Sequence, residues 1–142
     1  MDTEIELKFL VSDDVIPLIP SLITQFAKTV TNKPSKSLQN AYYDTPSREL
    51  RALDIGFRTR CTDERCEQTI KLAGEVVGGL HQRPEYNLPI ETNRPNLMAF
   101  DSSIWPHGMQ IDAISQNLFP IFSTNFIRRT WLIETPNGAK IE

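Results

Sequence analysis

Glu4-Ile5-Glu6-Leu7-Lys8-Phe9 alternates charged and apolar residues without a break. A two-residue period marks a β-strand with two unlike faces. Ile5, Leu7 and Phe9 fall on one face, and Glu4, Glu6 and Lys8 on the other. Two carboxylates about 6–7 Å apart along one strand face repel each other unless a cation sits between them. Hard carboxylate oxygens suit Mg2+ or Mn2+ in that place. A strand with one solvated polar face carries the same pattern and is common in antiparallel sheets. The rest of the chain decides between the two.

The alternation returns further along. Phe57-Arg58-Thr59-Arg60-Cys61 puts Arg58 and Arg60 on one face of a predicted strand. Thr62-Asp63-Glu64-Arg65 turns the chain, and the return strand 67–72 groups Glu67, Thr69 and Lys71 against Gln68, Ile70 and Leu72. Residues 81–90 form another strand, with His81, Arg83, Glu85 and Asn87 sharing a face; Pro84 removes a ladder donor and predicts an edge or a bulge there. Residues 126–133 are a strand carrying Arg128 and Thr130 on one face, and Pro136-Asn137-Gly138 turns into a strand beginning at Ala139.

Between these lie a helix over residues 14–28, capped by Ser12, with an apolar stripe read as core, and a polar loop over 31–37. A strand over 38–43, an Asp44-Thr45-Pro46 turn, a helical turn over 47–54 and a glycine-rich connection over 73–79 follow. A helix is expected around 112–119.

The 142 residues fit one α+β domain with a sizeable core and at least six strands. A net charge of −3 gives no reason to expect nucleic acid, so any bound anion needs a local basic cluster. No apolar run approaches membrane-spanning length, and the first residues carry no leader pattern, so the expected location is the cytoplasm. Cys61 and Cys66 have no zinc spacing; they are read as reduced core residues, with a cross-strand disulfide as the alternative.

Taken together, the polar strand faces hold Glu4, Glu6, Lys8, Arg58, Arg60, Glu67, Lys71, Arg83, Glu85 and Arg128. If the sheet curls into a barrel, these side chains converge on its lumen. Cations gathered there without an anion would be costly. A bound polyphosphate, with a metal held by the carboxylates, balances them; Arg grips phosphate bidentately and Lys acts as a point charge.

The Glu4-Ile-Glu-Leu-Lys8 stretch resembles the ExExK signature of the CYTH superfamily, the triphosphate tunnel metalloenzymes. Tyr42-Tyr43-Asp44-Thr45-Pro46 with Leu50, Leu53 and Phe57-Arg58-Thr59-Arg60 resembles the family's second block. Thr69-Ile70-Lys71, the 78–86 stretch Gly-Gly-Leu-His-Gln-Arg-Pro-Glu-Tyr, and Phe122-Ser123-Thr124 before Phe126 are similar to its inorganic triphosphatase branch. The resemblance covers essentially the whole chain. It implies an antiparallel β-barrel, the tunnel, with flanking helices, and metal-dependent hydrolysis of inorganic triphosphate to diphosphate and phosphate. It also implies that Glu4, Glu6 and Glu142 hold Mg2+ or Mn2+, and that Lys8, Arg58, Arg60, Lys71, Arg83 and Arg128 grip the phosphates. Lys8 and Glu85 are the implied catalytic residues, Glu85 by orienting a group or assisting a second metal.

Two departures stand out. Thr130 occupies a position where relatives carry a second basic residue, and the family continues past Glu142 with further strands. Residues 1–142 are therefore expected to be a CYTH domain truncated at its C-terminal end, with an open sheet edge able to pair with another copy. The expected partners are inorganic triphosphate or a nucleoside triphosphate, with no membrane. A class IV adenylyl cyclase, a thiamine triphosphatase, or a polyphosphate- or nucleotide-binding module without turnover are the alternatives.

Overall fold

The computed structural model describes residues 2–77 and 80–142; Gly78 and Gly79 of the expected glycine-rich connection lie outside them. Eight strands form an antiparallel sheet: β1 (Asp2–Leu7), β2 (Thr29–Asp44), β3 (Gly56–Cys61), β4 (Cys66–Lys71), β5 (Glu75–Val77), β6 (Leu80–Ile90), β7 (Phe119–Glu134) and β8 (Lys140–Ile141). Their order is β1-β6-β4-β3-β2-β7-β8, with β5 also paired to β6. Among the described residues three short helices, α1 (Ile19–Phe26), α2 (Glu49–Ala52) and α3 (Ile111–Gln116), complete the α+β architecture. No helix among the described residues is long and apolar enough to cross a membrane.

The chain packs as two units, residues 1–7 with 37–126, and residues 8–36 with 127–142. The first holds the core: Leu50, Ile55, Phe57, Ile70, Leu97, Phe100 and Ile114. Alternation explains it. Phe57 on β3 and Ile70 on β4 stand opposite each other and turn the same way, as do Ile70 and Tyr86 on β6. Phe100 and Trp105, from the segment before α3, close on Phe57 through edge-to-face ring pairs spaced 6.2 Å apart. The apolar face of the hairpin is thus covered, which leaves the other face to its charges.

Cys61 and Cys66 do not fit the reduced-core expectation. They occupy opposite positions at the tip of the β3–β4 hairpin, joined as a disulfide and only half buried. Both 31–37 and 73–79 were expected as connections, yet β2 runs unbroken from Thr29 and β5 forms within the second. The β-branched run Thr29-Val30-Thr31 favours extended backbone and outweighs Asn32 and Pro34. β7 likewise starts at Phe119, ahead of the expected 126.

In the second unit, Pro20 delays the helix: a 3-10 turn at Ile16–Leu18 precedes α1. The stripe expected as core is not buried: Leu18 is 53%, Leu22 42% and Phe26 74% exposed, and Val15, Ile19 and Ile23 are half-buried. None of the buried hydrophobic side chains among the described residues belongs to this unit. Lys28 pairs with Glu134 at 3.1 Å, and Gly138, with φ of 86°, makes the turn that returns β8 to β7.

Candidate active site

The face of the first unit opposite its core carries the charges. The register sets Tyr42, Arg58, Thr69 and Asn87 side by side across β2, β3, β4 and β6. The neighbouring rungs are Asn40, Arg60 and Glu67, and Gly56, Lys71 and Glu85. Adjacent strands are about 4.8 Å apart, and same-face residues along a strand are about 6.7 Å apart. Arg58 therefore has Arg60 next to it along β3 and Lys71 diagonally across on β4, all on one surface, as the alternation predicted.

Each is held differently. Lys71 Nζ lies 2.9 Å from Glu85 Oε2, with both side chains largely buried. Glu85 Oε1 accepts from Asn87 Nδ2 at 3.0 Å, and Thr69 Oγ1 donates to Asn87 Oδ1 at 2.7 Å. Glu85 thus faces Lys71 with one carboxylate oxygen and is itself held by Asn87 through the other. Arg60 Nε donates to Asn40 Oδ1 at 2.7 Å. Arg58 Nε is buried and has no hydrogen-bond partner among the described residues. A buried guanidinium N–H without an acceptor is costly, and an oxyanion is the group that satisfies it.

Arg83 has a different surrounding. The Leu72 N–H donates to the Pro84 carbonyl at 3.0 Å. In such an antiparallel rung the two residues exchange both bonds, and Pro84 has no N–H to return. The Leu72 carbonyl accepts instead from Arg83 Nε at 2.7 Å. A terminal nitrogen of Arg83 also donates to the Asp54 carbonyl and lies 3.4 Å from the Asp54 carboxylate. Arg83 closes the rung that Pro84 leaves open. Pro84 sits inside the sheet, not at an edge, and the bulge expected as the alternative is there: the register against β6 shifts by one residue between Lys71↔Glu85 and Glu75↔Gln82. Replacing Arg83 by Met should destabilise the fold by about 1–3 kcal/mol, the cost of an unsatisfied buried carbonyl. In a Pro84→Ala background, where the N–H returns, that cost should shrink markedly. Denaturant unfolding of the four proteins measures it, and equal costs in both backgrounds would contradict the pairing.

A family model for the CYTH domain matches residues 2–142. The chain belongs to the CYTH family. An inorganic triphosphatase of Haemophilus influenzae is 37% identical over 139 residues, which is 98% of this chain and 38% of that protein. The chain thus spans well under half the length of this relative. In structure, a Hippeastrum protein described as a candidate adenylyl cyclase with a dominant triphosphatase activity superposes with a TM-score of 0.60. It is 16% identical, and the match covers 94% of this chain and 66% of that one, which establishes the shared fold.

Three other expected site residues of this CYTH domain are Lys8, Arg128 and Glu142. β1 ends at Leu7, so Lys8 lies beyond the strand and is exposed. Arg128 is exposed on β7, and Glu142, expected as a metal ligand, pairs with Lys33 at 2.9 Å. All three belong to the second unit.

Glu4 and Glu6 stand opposite Arg83 and His81 in the register, two residues apart on β1. Their side chains lie outside what the structure describes, and among the described residues no three His, Cys, Asp or Glu side chains cluster. Two carboxylate positions recurring on one strand face remain a donor set suited to a hard divalent cation.

Sequence reasoning gave no role to Asn40, Asn87 or Thr124. Asn40 stands in register with Arg60, and Asn87 lies two residues from Glu85 on the same strand, and that placement is the available signal.

Proposed function

We propose that this CYTH domain hydrolyses inorganic triphosphate to diphosphate and phosphate in a metal-dependent reaction. The observation that carries the reading is the buried Nε of Arg58, which has no hydrogen-bond partner among the described residues, beside Arg60 and Lys71. The similarity to an inorganic triphosphatase supports the choice of anion.

In this reading the oxygen of a water attacks the terminal phosphorus and loses a proton to solvent. The bond from that phosphorus to the bridging oxygen breaks, and diphosphate leaves with the electron pair. Arg58, Arg60 and Lys71 stabilise the charge spreading over the phosphoryl oxygens, so no nucleophilic side chain is required. Glu85 keeps Lys71 aimed while the substrate is bound and released. Mg2+ or Mn2+, held by Glu4 and Glu6, would offset substrate charge and polarise the terminal phosphoryl group. Phosphate contacts for Lys8 and Arg128 rest on the sequence resemblance alone. A cytoplasmic setting is part of the proposal, and there the Cys61–Cys66 pair would be kept reduced.

Glu6→Ala tests the metal arm. It should lower metal-dependent phosphate release by about 100-fold, in the range of disrupted metal sites, while leaving the far-ultraviolet circular dichroism spectrum intact. Chelation of the wild type should match it. Unchanged turnover in the variant removes Glu6 from the site.

A further inference from the structure

Where β2 ends and α2 begins, the first unit holds a cavity of about 570 Å³. It adjoins the cationic face directly. Tyr42 stands opposite Arg58, and Gly56 opposite Lys71, in the register, and both Tyr42 and Gly56 line the cavity. Gly56 puts no side chain between Lys71 and the opening; a Cβ there would meet only the Lys71 Cβ, at 4.0 Å. The rest of the lining includes Arg48, Arg51 and Arg83, with Asp44 and Asp54.

Three guanidinium groups thus meet two carboxylates, and both carboxylates are already engaged. Asp44 accepts from the N–H groups of Thr45, Leu50 and Arg51. Asp54 lies 3.4 Å from Arg83. Glu49 accepts from the Ser47 hydroxyl and does not line the cavity. Among the described residues, no hydrogen bond or ion pair joins the side chain of Arg48 or Arg51 to another group.

Both arginines are held in place by their backbones. The Arg48 N–H donates to the Thr45 carbonyl at 3.0 Å, its carbonyl accepts from Ala52 at 2.9 Å, and the Arg51 N–H donates to Asp44 at 3.1 Å. Arg48 sits at φ of 61° and ψ of 42°, a left-handed conformation that glycine or asparagine adopts at lower cost. An arginine kept where the backbone disfavours it points to a use for its side chain. A guanidinium pair beside a phosphate-binding face suits a further phosphoryl group, which Arg grips bidentately.

We infer that Arg48 and Arg51 form a phosphoryl subsite adjoining the triphosphate site, which takes the additional phosphate of a linear chain longer than triphosphate. This rests on the reading of the cationic face as the triphosphate site.

Titration calorimetry with inorganic triphosphate and with inorganic tetraphosphate, on the full chain without added metal, separates the two sites. The wild type should bind tetraphosphate more tightly than triphosphate. The double variant Arg48→Gln, Arg51→Gln should lose tetraphosphate affinity by about fivefold or more, within the range for two exposed charge pairs, and hold triphosphate affinity within about twofold. The double variant Arg65→Gln, Arg94→Gln removes two exposed arginines that do not line the cavity, and should keep the preference for the longer chain. Arg58→Ala should weaken both ligands. If the Arg48, Arg51 variant keeps the preference while Arg58→Ala weakens both ligands, the inference is overturned and the site reading stands. An equal loss in the Arg65, Arg94 variant, or a loss for triphosphate as large as for tetraphosphate, also overturns the inference. If Arg58→Ala binds both ligands as the wild type does, the site reading is overturned and the inference with it.

Discussion

Arg58→Ala should weaken inorganic triphosphate binding by about 1.5–3 kcal/mol, which is roughly 10- to 150-fold, the range for a hydrogen bond to a charged group. The same change should leave the stability of the ligand-free fold within about 1 kcal/mol of the wild type. The two halves of this prediction have one cause. Arg58 Nε is buried without a partner among the described residues, so in the free protein its polar end costs stability while its aliphatic stem contributes some through packing. Removing the side chain removes both. Only the bound state has an acceptor to lose. Calorimetric titration and denaturant unfolding of the one variant measure both halves, and a loss of stability as large as the loss of affinity would mark Arg58 as a structural residue.

Asp44→Ala should be the more damaging substitution for the fold, costing about 3–5 kcal/mol. The Asp44 side chain is 2% exposed and accepts three backbone hydrogen bonds: from the N–H of Thr45 at 2.8 Å, of Leu50 at 2.9 Å and of Arg51 at 3.1 Å. Each backbone donor left without an acceptor in a buried place costs about 1–3 kcal/mol, less where water can reach it, as near Arg51. These bonds tie the end of β2 to α2, where Leu50 enters the core and Arg48 is held in the left-handed region at φ of 61°. Asp44→Asn keeps one oxygen and should lose less than half as much. Denaturant unfolding that showed Asp44→Ala within 1 kcal/mol of wild type would contradict this account of the turn.

The faces of β3 and β4 were legible in the sequence because a strand buried on one side writes its period directly into the order of residues. Phe57, Arg58, Thr59 and Arg60 needed nothing beyond their own alternation, and the register bears them out. Features that depend on a partner distant in sequence were not legible. Asn40 finds Arg60 20 residues away and Thr124 84 residues away. Arg83 was read as a phosphate ligand, and its bond to Leu72 becomes visible only once the rung opposite Pro84 is known. The Cys61–Cys66 bridge follows from a register that sets the two thiols opposite each other, and spacing alone does not fix that. The apolar stripe of α1 showed amphipathicity correctly, but periodicity says which residues share a face and not what covers it.

The most direct test of the central claim is phosphate release from inorganic triphosphate, with the products counted. With Mg2+ or Mn2+ present, the account predicts one orthophosphate and one diphosphate per triphosphate consumed, no release with chelator, and a strong loss in Arg58→Ala. Tight binding of triphosphate with no metal-dependent release would contradict it and leave the cationic face as a binding surface without turnover.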